Sequence, residues 1–226
     1  MATSGAAIDT ALALTDWSTT VDVMGRTSDA RERLIAAVGE LFCESGYHGT
    51  TIDAICQRAG VRKGTFYHFF ASKEELAIAA LEVDRAERRQ SLDAIFSPTR
   101  APLQRLAAYC EHLYARQKEL KRIRGHVLGC RLFTLGAEVC TQEPALRERI
   151  NVLLGDYIAY LTSALREAVA LGELKLADPA AKARCLFALI QGAVTQARIA
   201  NDPEILRELP AQVFSTLGLK TAPRAA

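Results

Sequence analysis

The sequence predicts an all-α protein with an N-terminal three-helix helix-turn-helix domain and a larger C-terminal helical domain. Apolar residues recur three and four positions apart in several windows, which is the period of an amphipathic helix. Glycines and prolines fall at the ends of these windows and divide them into separate helices. No strand-like alternation of apolar and polar residues persists, so we expect no sheet.

The first helix is predicted to begin at Asp29 and to end near Gly46. Residues 1–28, which precede it, are rich in Ala, Ser, Thr and Gly and are predicted to form a flexible arm. From Asp29 onward the apolar residues form one stripe at positions i, i+4, i+7 and i+8: Leu34, Val38, Leu41 and Phe42. A glycine after such a stripe is typical of a helix C-terminus.

Two short helices joined by a glycine turn are predicted next. Thr50 and Asp53 have the spacing of a variant capping box, so we expect the second helix to start there. Its core-facing residues are Ile52, Ile55, Cys56 and Ala59. Gly60 can adopt the positive φ that a tight turn requires. A third short helix then carries aromatic residues at i, i+3 and i+4, namely Phe66, Phe69 and Phe70.

The fourth helix is predicted from about Lys73, because Ser72 and Glu75 form another capping box. It continues as an amphipathic stretch that contains Leu76, Ala80 and Val83. We expect this helix to connect the helix-turn-helix domain, residues 29–77, to the C-terminal domain, residues 78–221.

Within the C-terminal domain, Asp178-Pro179 and Asp202-Pro203 each combine a capping side chain with a proline at the first helical position. The longest helices are predicted over about 145–171 and 179–200. The second of these places apolar and small residues on one face, where they permit close contact with another helix: Leu186, Leu189, Ile190, Ala193 and Ala197.

Charge indicates one basic surface. The formal net charge is only +2, so any basic surface must be local rather than global. Residues 29–53 are acid-rich, whereas residues 54–73 contain no acid and carry four basic side chains: Arg58, Arg62, Lys63 and Lys73.

Several classes of protein and several kinds of site are disfavoured because the sequence lacks their motifs. Asp9 and Asp16 interrupt the apolar pieces of an N-terminus that has no basic n-region, so we expect neither a signal peptide nor a membrane partner, and a cytoplasmic location. The six cysteines include no C-x-x-C pair and have no histidines at metal spacing, so we expect reduced thiols and neither a metal site nor a cofactor. No phosphate loop or nucleophile motif is present, so an enzyme is disfavoured.

A long ungapped motif covers residues 50–76. It comprises Thr-Thr-Ile-Asp-Ala-Ile at 50–55, Ala-Gly-Val at 59–61, Lys-Gly-Thr-Phe-Tyr-His-Phe-Phe at 63–70 and Ser-Lys-Glu-Glu-Leu at 72–76. This motif closely resembles the signature of the TetR family of transcriptional regulators, and the resemblance extends over about residues 29–77. Two short helices joined by a tight turn suit DNA because the second can enter the major groove while the first spans the backbone.

The resemblance implies specific DNA contacts. In members of the family, one set of positions contacts phosphates, and in this sequence these positions are Thr51, Tyr67, His68 and Lys73. A second set faces base edges or the adjacent backbone, and here it comprises Arg62, Lys63, Gly64 and Thr65. Arg62 departs from the family, which often has Ser or Thr there to cap the recognition helix, so the cap must come from elsewhere or be missing. The alternative is a solvated helical face without a ligand.

The resemblance also implies a homodimer that binds a roughly palindromic operator on double-stranded DNA, with the two long late helices pairing across a two-fold axis. The alternative is that the apolar faces of these helices close the core of a monomer. A helical interaction module that has lost DNA binding is a third interpretation, which acid or proline in the recognition helix would indicate. Neither occurs there.

A small-molecule inducer is implied by the family, and Cys130 is the candidate sensor. Residues 129–140, from Gly-Cys to Ala-Glu-Val-Cys, resemble a segment of TetR-type repressors that respond to electrophiles and oxidants. Cys140 is not an obvious disulfide partner, because ten helical residues span about 15 Å. The alternatives are a packed Cys130 with a reversible inducer, and, for the basic run over 116–124, either attraction of an acidic ligand or a solvated linker.

Overall fold

In the computed structural model, residues 28–139 and 141–220 are described, and every regular element within them is helical. Residues 1–27 of the predicted arm, and Cys140, lie outside the described residues. The α-helices are α1 (Ser28–Gly49), α2 (Ile52–Ala59), α3 (Lys63–Phe69), α4 (Lys73–Ile95), α5 (Pro102–Arg124), α6 (Arg131–Val139), α7 (Pro144–Ala170), α8 (Pro179–Ile199) and α9 (Leu209–Thr216). A 3₁₀ helix, Pro203–Glu208, precedes α9.

The first three helices and the start of α4 enclose one core. Ile55 of α2 and Phe66 of α3 are fully buried against α1, and Phe70 is almost so. Phe69 is only partly buried at the edge of this cluster. Burying one such side chain contributes about 1.5–3 kcal/mol, so these few aromatic and aliphatic contacts fix the position of the short α3.

The N-terminal cap of α4 matches the prediction, whereas that of α2 differs from it. The Ser72 hydroxyl accepts a hydrogen bond from the Glu75 amide at 3.1 Å, as the capping box predicts. The predicted Thr50 cap is wrong: Thr51 caps α2, and its hydroxyl accepts from the Ala54 amide at 3.1 Å. Thr50 is buried instead, and its hydroxyl donates to the Gly46 carbonyl at 2.7 Å, because the chain leaves the helix at Gly46 with φ +71°.

The C-terminal helices bury the face of α8 that the sequence marked as apolar. Leu186, Ile190 and Ala197 lie in the protomer's own core with α5 and α7. Ala193 is half-buried against the same core. The small residues of this face therefore pack within the chain, and the outward face of α8 is a different one. Within the described residues, none of the helices combines the length and apolar character needed to cross a bilayer.

Helix α6 joins the two halves of the molecule. Its first residue, Arg131, contacts Asp84 of α4, with Nη2 2.5 Å from the carboxylate oxygen Oδ1. Near its other end, the Glu138 carboxylate accepts hydrogen bonds from the amides of Tyr47 at 2.9 Å and His48 at 2.7 Å. A Cβ at Gly46 would lie 2.8 Å from a Glu138 oxygen, so glycine permits this close approach.

Candidate DNA interface and ligand cavity

The turn between α2 and α3 sets the direction of α3. Gly60 adopts the left-handed conformation, with φ +64° and ψ +37°. The amide of Val61 donates to the Cys56 carbonyl at 3.0 Å, which closes the end of α2. Glycine enters this region without the steric cost that a Cβ imposes, so the sequence position and the conformation agree.

The outer surface of α3 and of the residues before it contains most of the predicted DNA contacts. Thr51, Arg62, Lys63, Gly64 and His68 are exposed, and Tyr67 is 52% exposed. Lys63 and Tyr67 are four positions apart, so they share one side of the helix. Thr65 is half-buried. Arg62 occupies the N-cap position without a side-chain hydrogen bond to the helix, so the cap is missing.

Lys63 is exposed but has an ionic partner. Its ammonium lies 2.9 Å from a carboxylate oxygen of Asp53 on α2, and this hydrogen bond raises the pKa of Lys63. Both side chains are more than half exposed. Exposed ion pairs are weak and screened by salt, so a phosphate can replace Asp53 as the partner.

The Lys73 ammonium makes more contacts within the protein than the motif predicted. Its ammonium donates to the Tyr47 carbonyl at 2.7 Å and to the Thr50 carbonyl at 2.9 Å, and it lies 4.1 Å from the centre of the Tyr47 ring. Burial lowers its pKa. An ammonium has three donors, so these contacts leave one for a phosphate. Arg58 of the same basic segment instead binds Glu40 and Glu44 of α1.

A cavity of about 70 Å³ lies in the C-terminal domain between α4, α5, α7 and α8, at the start of α6. Cys130 lies on its wall and is half-buried. The backbone there is held by Gln117 of α5, whose amide group accepts from the Gly129 amide at 2.9 Å and donates to the Gly129 carbonyl at 3.1 Å. This reciprocal pair fixes the segment that presents Cys130 and Arg131 to the cavity.

The cavity wall contains three arginines, Arg88, Arg116 and Arg131, and its described lining includes no carboxylate. Arg88 and Arg131 both pair with Asp84, which lies behind the wall and is 3% exposed. Arg116 contradicts the interpretation of the basic run as a linker: residues 116–124 form the C-terminal half of α5, and this arginine faces inward.

Burial shifts the pKa values of several cavity groups. It lowers the pKa of both Arg88 and Arg116. Burial, together with the neighbouring Arg116 cation, lowers the pKa of His112 to about 4, so this imidazole is neutral at physiological pH. Burial also raises the pKa of Tyr157, which keeps its hydroxyl protonated. The charge of the cavity is therefore carried by its arginines.

Sequence reasoning missed several of these groups. Asp84 and Arg88 have the i, i+4 spacing of a helical ion pair, a signal that is common on solvated surfaces and therefore does not mark a cavity. Gln191, which lines the cavity and is 4% exposed, lies within an apolar stretch of α8 and gave no signal. Cys130 was singled out, and it does line a cavity.

The fold and the exposed α3 surface define a DNA-binding regulator of the helix-turn-helix class. The family model described as bacterial regulatory proteins, tetR family, matches residues 34–80. The model described as tetracyclin repressor-like, C-terminal domain, matches residues 102–213. The chain belongs to the TetR family of transcriptional regulators.

Two curated relatives match most of the chain. The HTH-type transcriptional repressor NemR of Escherichia coli (strain K12) is 30% identical over 195 residues, which cover 82% of this chain and 92% of that protein. The transcriptional regulator AcuR of Cereibacter sphaeroides is 32% identical over 180 residues, covering 78% of this chain and 80% of that protein. The crystal structure of E. coli NemR in its reduced form has a TM-score of 0.72 at 29% identity and covers 86% of this chain and 98% of that chain.

Proposed function

We propose that this protein is a cytoplasmic transcriptional repressor that binds a palindromic operator as a homodimer and is released by a small-molecule inducer. The observation that carries the proposal is the outward face of α3, on which Lys63, Tyr67 and His68 are exposed. Arg62, at the N-cap position beside them, makes no side-chain hydrogen bond to the helix. A short helix held by a buried aromatic core and exposing basic and hydroxyl groups suits a major groove. The direct test is a gel shift with DNA from upstream of the protein's own gene, since the proposal requires a retarded band that salt weakens.

A second copy of the chain fits the outward faces of α7 and α8. Gly155 and Gly192 lie within these helices, are exposed, and have open space around the position of a Cβ. Glycine inside a helix costs about 0.5–1 kcal/mol relative to alanine, so its presence on both exposed faces favours close approach by another backbone. Val152, which is 47% exposed, adds apolar area on α7. Two such pairs related by a two-fold axis make a four-helix contact.

Replacing Gly192 with Arg tests the homodimer. We expect the variant to be monomeric at micromolar concentration, with dimer affinity reduced about 100-fold or more, because a buried charge without a partner costs several kcal/mol. Light scattering measures the mass, and a gel shift measures operator binding. Ala94→Arg is the matched control, since Ala94 is exposed on α4, away from the proposed contact. A Gly192→Arg variant that remains dimeric would contradict this interface.

Cys130 is the proposed sensor when the inducer is an electrophile or oxidant. Three features support this role: Cys130 lines the cavity, it is half-buried rather than fully enclosed, and three arginines line the same cavity. One of the similar solved structures is described as the reduced form of E. coli NemR.

Cys130→Ser separates a reactive sensor from a packing residue. Wild type and variant are treated with an alkylating electrophile or hypochlorite, and operator binding is then measured with and without reductant. We expect the wild type to release DNA and the serine variant to keep it. Cys110→Ser is the matched control, because Cys110 is buried in the same domain and burial raises its thiol pKa to about 12. Equal release by Cys130→Ser and wild type would leave a reversible inducer as the remaining alternative.

A further inference from the structure

Three arginines line the cavity, and no carboxylate is among its described lining residues. Asp84 serves two arginines at once: one of its oxygens contacts Arg88 and the other contacts Arg131. The third arginine, Arg116, is half-buried and makes no hydrogen bond or ion pair with any of the described residues. Burial lowers its pKa, and the more distant Glu87 carboxylate opposes that shift. Partly burying a guanidinium that has no hydrogen-bonding partner is unfavourable, and a bound anion would offset that cost.

A second unpaired group lies on the same wall. Gln191 of α8 is 4% exposed, and its Oε1 atom has no hydrogen-bond partner among the described residues. Buried polar atoms are nearly always hydrogen-bonded in folded proteins. The oxygen and nitrogen of a glutamine amide exchange places by a simple rotation, so Gln191 can offer a donor as readily as an acceptor to a bound molecule.

The rest of the wall is apolar or neutral. Leu92, Leu113 and Val194 line the cavity together with the ring of Tyr157. His112 is neutral and adds no charge. At about 70 Å³ the space is suited to a molecule of a few heavy atoms. A charged head with a short apolar tail matches this lining better than an inorganic ion does.

We propose that the cavity binds a small organic carboxylate, with Arg116 as its main charge partner and Gln191 as a second hydrogen-bonding group. This inference rests on the proposed function, because it names the chemical class of the inducer. A carboxylate can accept two parallel hydrogen bonds from one guanidinium, which is the arrangement that gives arginine its preference for carboxylates.

Binding at this position reaches the DNA-binding half through Asp84. An anion in the cavity competes with Asp84 for Arg88 and Arg131. Asp84 belongs to α4, the helix that begins at the helix-turn-helix unit, and Arg131 begins α6, whose other end holds the Tyr47 and His48 amides. Weakening the Asp84 contacts therefore loosens the contact between α4 and α6 beside the cavity.

Calorimetric titration of the DNA-free protein with straight-chain carboxylates from acetate to hexanoate tests the proposal. We expect at least one member of the series to bind, and Arg116→Gln to weaken it about 10- to 100-fold, which is the size of one charged hydrogen bond. Arg116→Lys keeps the charge and should weaken binding less. Arg122→Gln is the matched control, because Arg122 lies on the same helix, is 70% exposed and pairs with Glu119. Circular dichroism checks that each variant is folded.

The outcomes distinguish the proposed carboxylate site from the proposed DNA-binding function. The amide of the best-binding carboxylate should not bind, and inorganic phosphate should bind less tightly, since neither has both the charge and the apolar tail. If no carboxylate binds, or if Arg116→Gln binds the best one as tightly as wild type does, the anion site is refuted. Because this titration contains no DNA, a failure of operator binding appears separately, in the gel shift.

Discussion

Replacing Asp84 with Asn is expected to lower the free energy of unfolding by about 3–5 kcal/mol, because the substitution removes a buried carboxylate that contacts two guanidinium groups at once. The side chains of Asp84, Arg88 and Arg131 are 4%, 17% and 23% exposed, so water compensates little. Asparagine has nearly the same shape as aspartate, so the decrease measures charge and not packing. Denaturant unfolding at one fixed protein concentration gives the value, since the stability of a dimer depends on concentration.

Asp93→Asn is the control for this substitution. Asp93 is also on α4 and also lies near an arginine, Arg89, but its side chain is 59% exposed. We expect a change of about 0–1 kcal/mol there, as for other exposed ion pairs. A similar small change for Asp84→Asn would mean that Arg88 and Arg131 find other partners, and that the anion competition inferred above has no target.

Replacing Gly64 with Glu should reduce operator affinity by at least about 100-fold while leaving the fold intact, since opposing a phosphate with a like charge costs several kcal/mol. Gly64 is exposed at the start of α3, and a Cβ there would meet nothing within 4 Å. The free protein therefore has space for a Cβ at this position. Gly64→Ala separates size from charge: it should stabilise the helix slightly and weaken binding far less than glutamate does.

Salt dependence provides an independent check of the same surface. Wild-type affinity should fall steeply as salt rises, because DNA binding releases counterions from the phosphates. Lys63→Ala should reduce the slope of log affinity against log salt by about one unit for each phosphate that Lys63 neutralises. If Gly64→Glu binds the operator as wild type does, α3 is not the element that enters the groove.

Most features set by neighbouring residues were predicted from the sequence, although the cap of α2 was assigned to Thr50 instead of Thr51. Asp178 accepts a hydrogen bond from the Ala181 amide at 2.9 Å at the start of α8, and Pro179 occupies the first turn, as the Asp-Pro pair predicts. The same pair at Asp202 does start a helix, although it is a 3₁₀ helix. Capping depends on side chains within three or four positions, so a local pattern contains the needed information.

Features set by distant residues were not predictable in the same way. Lys73 and Tyr47 are far apart in the sequence, and only the folded chain brings the ammonium to the Tyr47 carbonyl. Arg116 is one cation in a basic run, and helical periodicity alone does not say which member of the run faces a cavity. The apolar stripe of α8 is compatible with a dimer contact and with an internal core, because both remove the same surface from water. The fold assigns Ala197 to the core.

The Glu138 contact limits how the helix-turn-helix unit, formed by α1 to α3 and the start of α4, can move. That unit is fixed to the rest of the chain along α4 and again where the Glu138 carboxylate holds the amides of Tyr47 and His48. The buried Tyr47 also packs against α6 and α7, so the unit is held along a continuous surface and follows any shift of α6. In the proposed dimer, a shift of α6 would therefore be transmitted to the α3 helix of each protomer and would change the distance between the two α3 helices.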